Sequence, residues 1–195
     1  MSQTKKLKVV GLDPSLRSWG IAIGSVPLDT GILTIEQIST ARTEPLKETK
    51  ISKSTWDISS ARTLYTHVQE AVKDADIICV EVPYGSQDVK AAVGRGICLG
   101  VLGSLTGKNF IFVTPQSVKK IIGKKDATKA ESVALAMERH PEASWPMWNG
   151  KVSVTKAEHT ADAIHAIYAG AQTKLFKSII QEYRNASTNQ TPTQD

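Results

Sequence analysis

Five short stretches of the chain carry the residue pattern of β-strands. Residues 8–13, 19–25 and 31–38 are rich in Val, Ile and Gly, and turn-forming residues separate them. Runs of this length and spacing are typical of an antiparallel meander. Two later apolar runs, 76–82 and 110–113, have the length and β-branched content of buried strands.

Helical periodicity alternates with these later strands. Residues 57–73 place apolar side chains on one helix face, with Asp57 as the expected N-cap. Residues 87–105 predict a helix with four glycines. Each glycine costs roughly 1 kcal/mol relative to alanine, which indicates close packing against another element or another subunit. A Lys-rich helix–turn–helix stretch over 115–139, a Pro/Trp loop over 141–154 and a final helix on AEHTADAIHAIYAG follow.

The order of these elements predicts an α/β fold with a mixed central sheet of about five strands flanked by helices. Residues 40–56 are polar and are expected to form a long exposed loop. We expect one domain over residues 1–184 and a disordered polar tail over residues 185–195. A composition of 41% hydrophobic and 22% charged residues is typical of a globular protein, and no stretch of eighteen apolar residues predicts a membrane span.

The net charge of +5 and the pI near 9.2 favour a polyanionic partner such as nucleic acid, although many basic proteins bind none. Cys79 and Cys98 lie in apolar and small-residue stretches, so both are expected to be buried free thiols. Two such cysteines and no signal-peptide pattern predict a cytoplasmic protein, of bacterial or phage origin.

Four residues suggest chemistry. Asp13 and Glu81 end predicted strands, where α/β sheets usually place sites, and His159 and Asp162 are spaced i, i+3 on one helix face. Carboxylates with one imidazole suit Mg²⁺ or Mn²⁺. Taken singly, each has an ordinary explanation: Asp13 precedes a proline and fits a turn, and Glu81 can be exposed at its strand end. His159 and Asp162, like His165, can lie on a solvated helix face.

Four segments resemble, in order, the motifs of RuvC-type Holliday junction resolvases. They are VVGLDPSLRSWGIAIG, ADIICVEVPYG, VTPQSVKKIIGKKDATKAESV and HTADAIHAIYAG, and together they extend from residue 8 to about residue 172. The resemblance implies an RNase H-like fold and an endonuclease that resolves four-way DNA junctions by paired symmetric nicks. It implies that Asp13, Glu81, His159 and Asp162 bind two divalent ions, Mg²⁺ or Mn²⁺. It also implies a homodimer, with helix 87–105 at the subunit interface.

Basic and aromatic residues are the candidates for DNA contact. Lys119, Lys120, Lys124, Lys125 and Lys129 fall within eleven residues, a density that suits phosphate contacts, or equally a solvated basic helix face. Tyr84 occupies the position after Glu81 where the resemblance implies a ring at the junction centre, with a packing role as the alternative. Trp145 and Trp148 are either packed in the loop or form a platform near DNA.

Three other functions are compatible with parts of this pattern. One is another RNase H-like nuclease that acts on branched DNA or RNA. Another is a non-catalytic protein that binds junctions, which the four competent ligand positions argue against. The third is an actin-like or sugar-kinase ATPase, which needs two such domains and a longer chain.

Overall fold

The computed structural model describes residues 5–44, 51–82 and 88–188. One sheet has the strand order β3-β2-β1-β4-β5. Its strands are β1 (Lys6–Asp13), β2 (Ser18–Pro27), β3 (Thr34–Arg42), β4 (Ile77–Glu81) and β5 (Phe110–Val113). The first three form the expected antiparallel meander, and β4 pairs in parallel with both β1 and β5. The predicted mixed sheet of five strands is therefore confirmed.

Helices cover both faces of this sheet. They are α1 (Lys53–Val72), α2 (Val89–Gly103), α3 (Pro115–Ile122), α4 (Lys129–Arg139), α5 (Val154–Ala171) and α6 (Lys174–Thr188). Because strand side chains alternate between faces, Leu7 and Val9 of β1 pack with α5, whereas Val10 and Leu12 pack with α1 and α2. The core thus has two halves, one on each side of the sheet.

The first helix begins earlier than the sequence pattern predicts. Ser52, and not Asp57, is the N-cap, and its hydroxyl oxygen accepts the N–H of Thr55 at 3.1 Å. Asp57 lies inside the helix and pairs with Lys53. The predicted loop 40–56 is also wrong at both ends, since β3 runs to Arg42 and α1 starts at Lys53. Residues 45–50 of that loop lie outside the described residues.

The carboxy-terminal part contains two elements that the sequence analysis did not predict. A small hairpin of β6 (Met147–Trp148) and β7 (Lys151–Val152) lies inside the expected Pro/Trp loop. Helix α6 packs its buried face on the α5 side of the core and continues to Thr188, so residues 185–188 are helical. The rest of the expected tail, 189–195, lies outside the described residues. None of the helices in the described ranges is long and apolar enough to cross a membrane.

Candidate active site at the carboxyl ends of β1 and β4

The two strand-end acids lie side by side. Leu12 of β1 is in register with Val80 of β4, and the strands are parallel, so Asp13 and Glu81 end at the same edge of the sheet. The alternation of strand side chains places both on the sheet face that α5 covers.

Helix α5 brings the other two candidates to this edge. Its residue His159 lies with Nδ1 2.6 Å from Oδ2 of Asp13. One turn further, Oδ1 of Asp162 accepts a hydrogen bond from the Ser132 hydroxyl at 3.0 Å. The structure therefore brings all four predicted site residues to one edge of the sheet, and the Ser132 hydroxyl links this edge to α4.

Two glycines let α5 approach the sheet closely enough for this arrangement. Gly20 on β2 is paired with Asp13, and a Cβ atom on Gly20 would lie 1.9 Å from the carbonyl oxygen of His159. A Cβ atom on Gly11 would lie 2.0 Å from the carbonyl oxygen of Ala163. Neither glycine was predicted from the sequence as part of the site. The available signal was a glycine inside each of two adjacent strands, a common mark of close backbone approach.

Among the described residues, the positive charges near the site only partly offset its three carboxylates. Burial, together with repulsion from Asp13 and Asp162, raises the pKa of Glu81 to about 8, although Lys119 acts in the opposite direction. Burial and the charge of Asp13 raise the pKa of Asp162 to about 6. The hydrogen bond to Asp13 also raises the pKa of His159. Each shift indicates that the site favours an added positive charge.

A divalent cation fits this donor set chemically. Three carboxylates and one imidazole are ligands that Mg²⁺ and Mn²⁺ accept, and a cation would relieve the repulsion that raises the pKa of Glu81. In the described part of the chain, no three His, Cys, Asp or Glu side chains are oriented as a ready metal-binding group. The Asp13 carboxylate instead engages His159, so binding requires these side chains to reorient.

A further acid, Glu158, lies beside the four predicted residues. Its Oε2 atom is 2.8 Å from Nζ of Lys129, and its Oε1 atom is 3.7 Å from Nε2 of His159. The side chain of Glu158 is 15% exposed, whereas that of Lys129 is 74% exposed. Glu158 was not predicted as a site residue, because its partner Lys129 is distant along the chain.

The predicted basic residues extend away from this acidic edge. Lys119 and Lys129 are close enough to affect, or to pair with, site acids. Four lysines on α3 and on the turn after it line one surface cavity of about 370 Å³. These lysines are Lys119, Lys120, Lys124 and Lys125, and Gln116 and Gly123 complete the lining. Lys124 also pairs with Glu131. Tyr84 lies outside the described residues.

The glycines of α2 divide into two groups. A Cβ atom on Gly94 would lie 3.3 Å from Cδ2 of Leu16, so this glycine packs closely within the chain, as expected. For Gly96, Gly100 and Gly103, a Cβ atom would meet no atom of the described residues within 4 Å, apart from chain neighbours and the helix's own backbone. Close packing within the described chain therefore explains only Gly94.

The remaining expectations have mixed outcomes. Both cysteines are free and buried, as predicted. His165 is fully buried, and its Nε2 atom lies 3.0 Å from the carbonyl oxygen of Ser132, so its expected place on a solvated face is wrong. Trp145 is buried, and its indole N–H donates to the carbonyl oxygen of His140 at 3.0 Å. Trp148 is exposed.

No protein-family model and no curated protein matches this sequence. Solved structures do match it. The structure of Thermus thermophilus RuvC has a TM-score of 0.61 and 18% identity, covering 89% of this chain and 96% of that one. T. thermophilus RuvC in complex with a Holliday junction substrate has a TM-score of 0.60 and 19% identity, covering 84% and 92%. The chain therefore has the RNase H-like fold of RuvC, as the sequence motifs indicated.

Proposed function

We propose that this protein is a metal-dependent endonuclease that resolves four-way DNA junctions by paired symmetric nicks. The observation that carries the proposal is the convergence of Asp13, Glu81, His159 and Asp162 at one edge of the sheet. The fold supports it, because a RuvC of the same architecture is known in complex with a Holliday junction substrate.

The four residues would together form a metal-binding site. Asp13, Glu81 and Asp162, with His159, would hold two divalent ions, Mg²⁺ or Mn²⁺. Such ions, when bound, supply an activated water and stabilise the leaving oxygen of a phosphodiester. The Ser132 hydroxyl fixes the orientation of the Asp162 carboxylate. His159 faces Asp13 through Nδ1, which leaves Nε2 to ligate a cation or to carry a proton near neutral pH.

The surroundings of the site suit a DNA backbone. The basic side chains run from the acidic edge along α3 and the start of α4, and five lysines there can neutralise phosphates. They are Lys119, Lys120, Lys124, Lys125 and Lys129. Tyr84 comes three residues after the end of β4 in the sequence. We propose that it contacts the branch point.

A homodimer would present two such sites to one junction. The open glycines Gly96, Gly100 and Gly103 support α2 as its interface, because they leave the backbone of α2 free for close approach by a second helix. The mass of the protein in solution, measured by sedimentation, tests this part of the proposal.

The substitution Asp13→Asn tests the activity. The wild-type protein should nick a labelled four-way junction at symmetric positions with Mg²⁺ or Mn²⁺ and should spare linear duplex. Asp13→Asn should bind the junction but no longer cut it, because an amide cannot replace the carboxylate as a ligand. Asp74→Asn is the matched control, since this exposed aspartate lies in the turn before β4, at the opposite end of that strand.

The outcomes separate the alternatives. Full cutting by Asp13→Asn would show that Asp13 is not a metal ligand of the nuclease site. Equal or faster cutting of a flap or an RNA–DNA hybrid would assign the chain to another RNase H-like nuclease. Junction binding without cutting by the wild type, with either ion, would identify a non-catalytic junction-binding protein.

A further inference from the structure

The β6–β7 hairpin presents an exposed aromatic residue. Trp148 is 64% exposed and its neighbour Met147 is 57% exposed. The other tryptophans of the chain are buried; they are Trp19, Trp56 and Trp145. Tryptophan is enriched among the residues that contribute most to binding interfaces, so its exposure beside Met147 makes this hairpin a candidate contact surface.

Turn geometry and hydrogen bonds define the conformation of the hairpin that exposes Trp148. Its turn residues Asn149 and Gly150 both have positive φ values, 47° and 73°, as a tight two-residue hairpin turn requires. At its base, the Ser153 N–H donates to the carbonyl oxygen of Pro146 at 2.8 Å. The buried Trp145 anchors the strand that leads into it.

The Trp148 ring contacts α5, the helix that carries two of the proposed site residues. Nζ of Lys156 lies 5.2 Å from the centroid of the Trp148 ring. Lys156 precedes His159 by three residues on α5, so both project from the same side of the helix. The lysine that contacts the Trp148 ring is therefore about one helical turn from His159. Lys151 and Lys156 are exposed and add positive charge around the ring.

We propose that Trp148 stacks on an unpaired or unstacked base of junction DNA while Lys151 and Lys156 contact the adjacent phosphates. This inference rests on the proposed function. Indole rings stack on any base, and lysines beside the ring match the polyanionic backbone that accompanies such a base. Bases at a branch point can be unstacked, whereas those inside a linear duplex are not accessible, so the contact would favour branched DNA.

Intrinsic tryptophan fluorescence measures this contact without requiring cleavage. Trp148 is the exposed tryptophan, so iodide should quench its emission selectively. Adding a four-way junction without divalent ions should lower the emission of the wild type and protect it from iodide. Trp148→Phe should lack this DNA-dependent change. A separate measurement with a labelled junction should show Trp148→Ala binding at least about fivefold more weakly, and Trp148→Phe binding nearly as wild type.

Two comparisons make the test specific. Affinity for linear duplex should change less than twofold in Trp148→Ala, because a duplex offers no base for stacking. Leu175→Ala, which removes a similarly exposed apolar side chain from α6, should leave junction affinity unchanged.

Each remaining outcome decides the matter. If the wild type binds and cuts junctions but Trp148→Ala binds them normally, the hairpin proposal is wrong and the proposed function stands. If Trp148→Ala lowers the mass of the protein in solution and leaves DNA affinity unchanged, the hairpin is a protein interface. If the wild type neither binds nor cuts junctions, the hairpin proposal and the proposed function both fail.

Discussion

Replacing Gly20 by alanine should separate α5 from the acidic edge. The new Cβ atom would lie 1.9 Å from the carbonyl oxygen of His159, and contacts under 3.0 Å are essentially never seen. The clash is with backbone, so no rotamer change relieves it, and α5 and β2 must separate by about 1.1 Å or more. A shift of this size lengthens the 2.6 Å contact between Asp13 and His159 beyond hydrogen-bonding distance.

The expected effects on stability and on activity differ in size. Overpacking of this kind costs about 1–3 kcal/mol of unfolding free energy. A catalytic group displaced by about 1 Å can cost about 100-fold in rate. We therefore expect Gly20→Ala to remain folded at 25 °C and to cut a four-way junction about 100-fold more slowly than the wild type.

Gly24→Ala is the matched control for this loss. Gly24 lies on β2, as Gly20 does. A Cβ atom on Gly24 would lie 2.4 Å from the carbonyl oxygen of Thr34 on β3, and none of its three nearest atoms belongs to α5. Urea unfolding should show a comparable loss of stability for both variants, whereas cutting per folded molecule should fall only for Gly20→Ala. Equal losses of activity, or normal cutting by Gly20→Ala, would refute the view that this glycine sets the site geometry.

Two further predictions follow from the electrostatics. The folded-state pKa of Glu81, about 8, lies above its ordinary value, so the folded metal-free protein binds this proton more tightly than the unfolded chain. The free energy of unfolding in EDTA should therefore fall by up to about 2 kcal/mol from pH 6.5 to pH 8, and Glu81→Gln should flatten this slope; a rising slope in the wild type would contradict it. Glu158→Gln removes the partner of Lys129 and one charge that raises the pKa of His159. It should slow cutting and shift the pH–rate profile to lower pH, and junction affinity should not fall, because Lys129 keeps its charge and loses its acidic partner. A profile identical to that of the wild type, or to that of a glutamine variant at exposed Glu182, would show that Glu158 does not set the pKa of His159.

The strands were predictable because their apolar runs are short and punctuated by turn residues. The start of α1 was not, because Ser52 and Asp57 are both competent N-caps and local sequence does not choose between them. A tertiary contact is associated with the earlier start: Trp56 is buried in the first turns of the helix, and its indole N–H donates to the carbonyl oxygen of Glu44 at 2.9 Å.

Helix α6 is a different kind of omission, because its signal was present in the sequence. Phe176, Ile179, Ile180 and Tyr183 recur at helical spacing, and the first three are buried. The polar residues that follow them obscured the pattern.

In the proposed site, too, features set by local sequence could be predicted, whereas contacts between elements distant in sequence could not. Parallel strands share a carboxyl edge, so two strand-end acids could be placed together from sequence, and the i, i+3 spacing put His159 and Asp162 on one helix face. The pairing of Glu158 with Lys129 could not be predicted, because it depends on how α4 sits against α5.

The position of α5 brings the separate sequence motifs together at one edge of the sheet. Close contacts between strand glycines and the backbone of α5 fix this position. Gly20 opposes His159, Gly11 opposes Ala163, and a Cβ atom on Gly170 would lie 2.3 Å from Sγ of Cys79. These three contacts run from the end of the helix that carries His159 to its far end, and the first two involve backbone atoms of α5 that no rotamer can move. Apolar side chains elsewhere in the core can be trimmed or repacked while this seating persists, because cores tolerate volume-conserving changes. The distance between the strand acids and the helix residues is therefore controlled by glycines that carry no chemistry of their own.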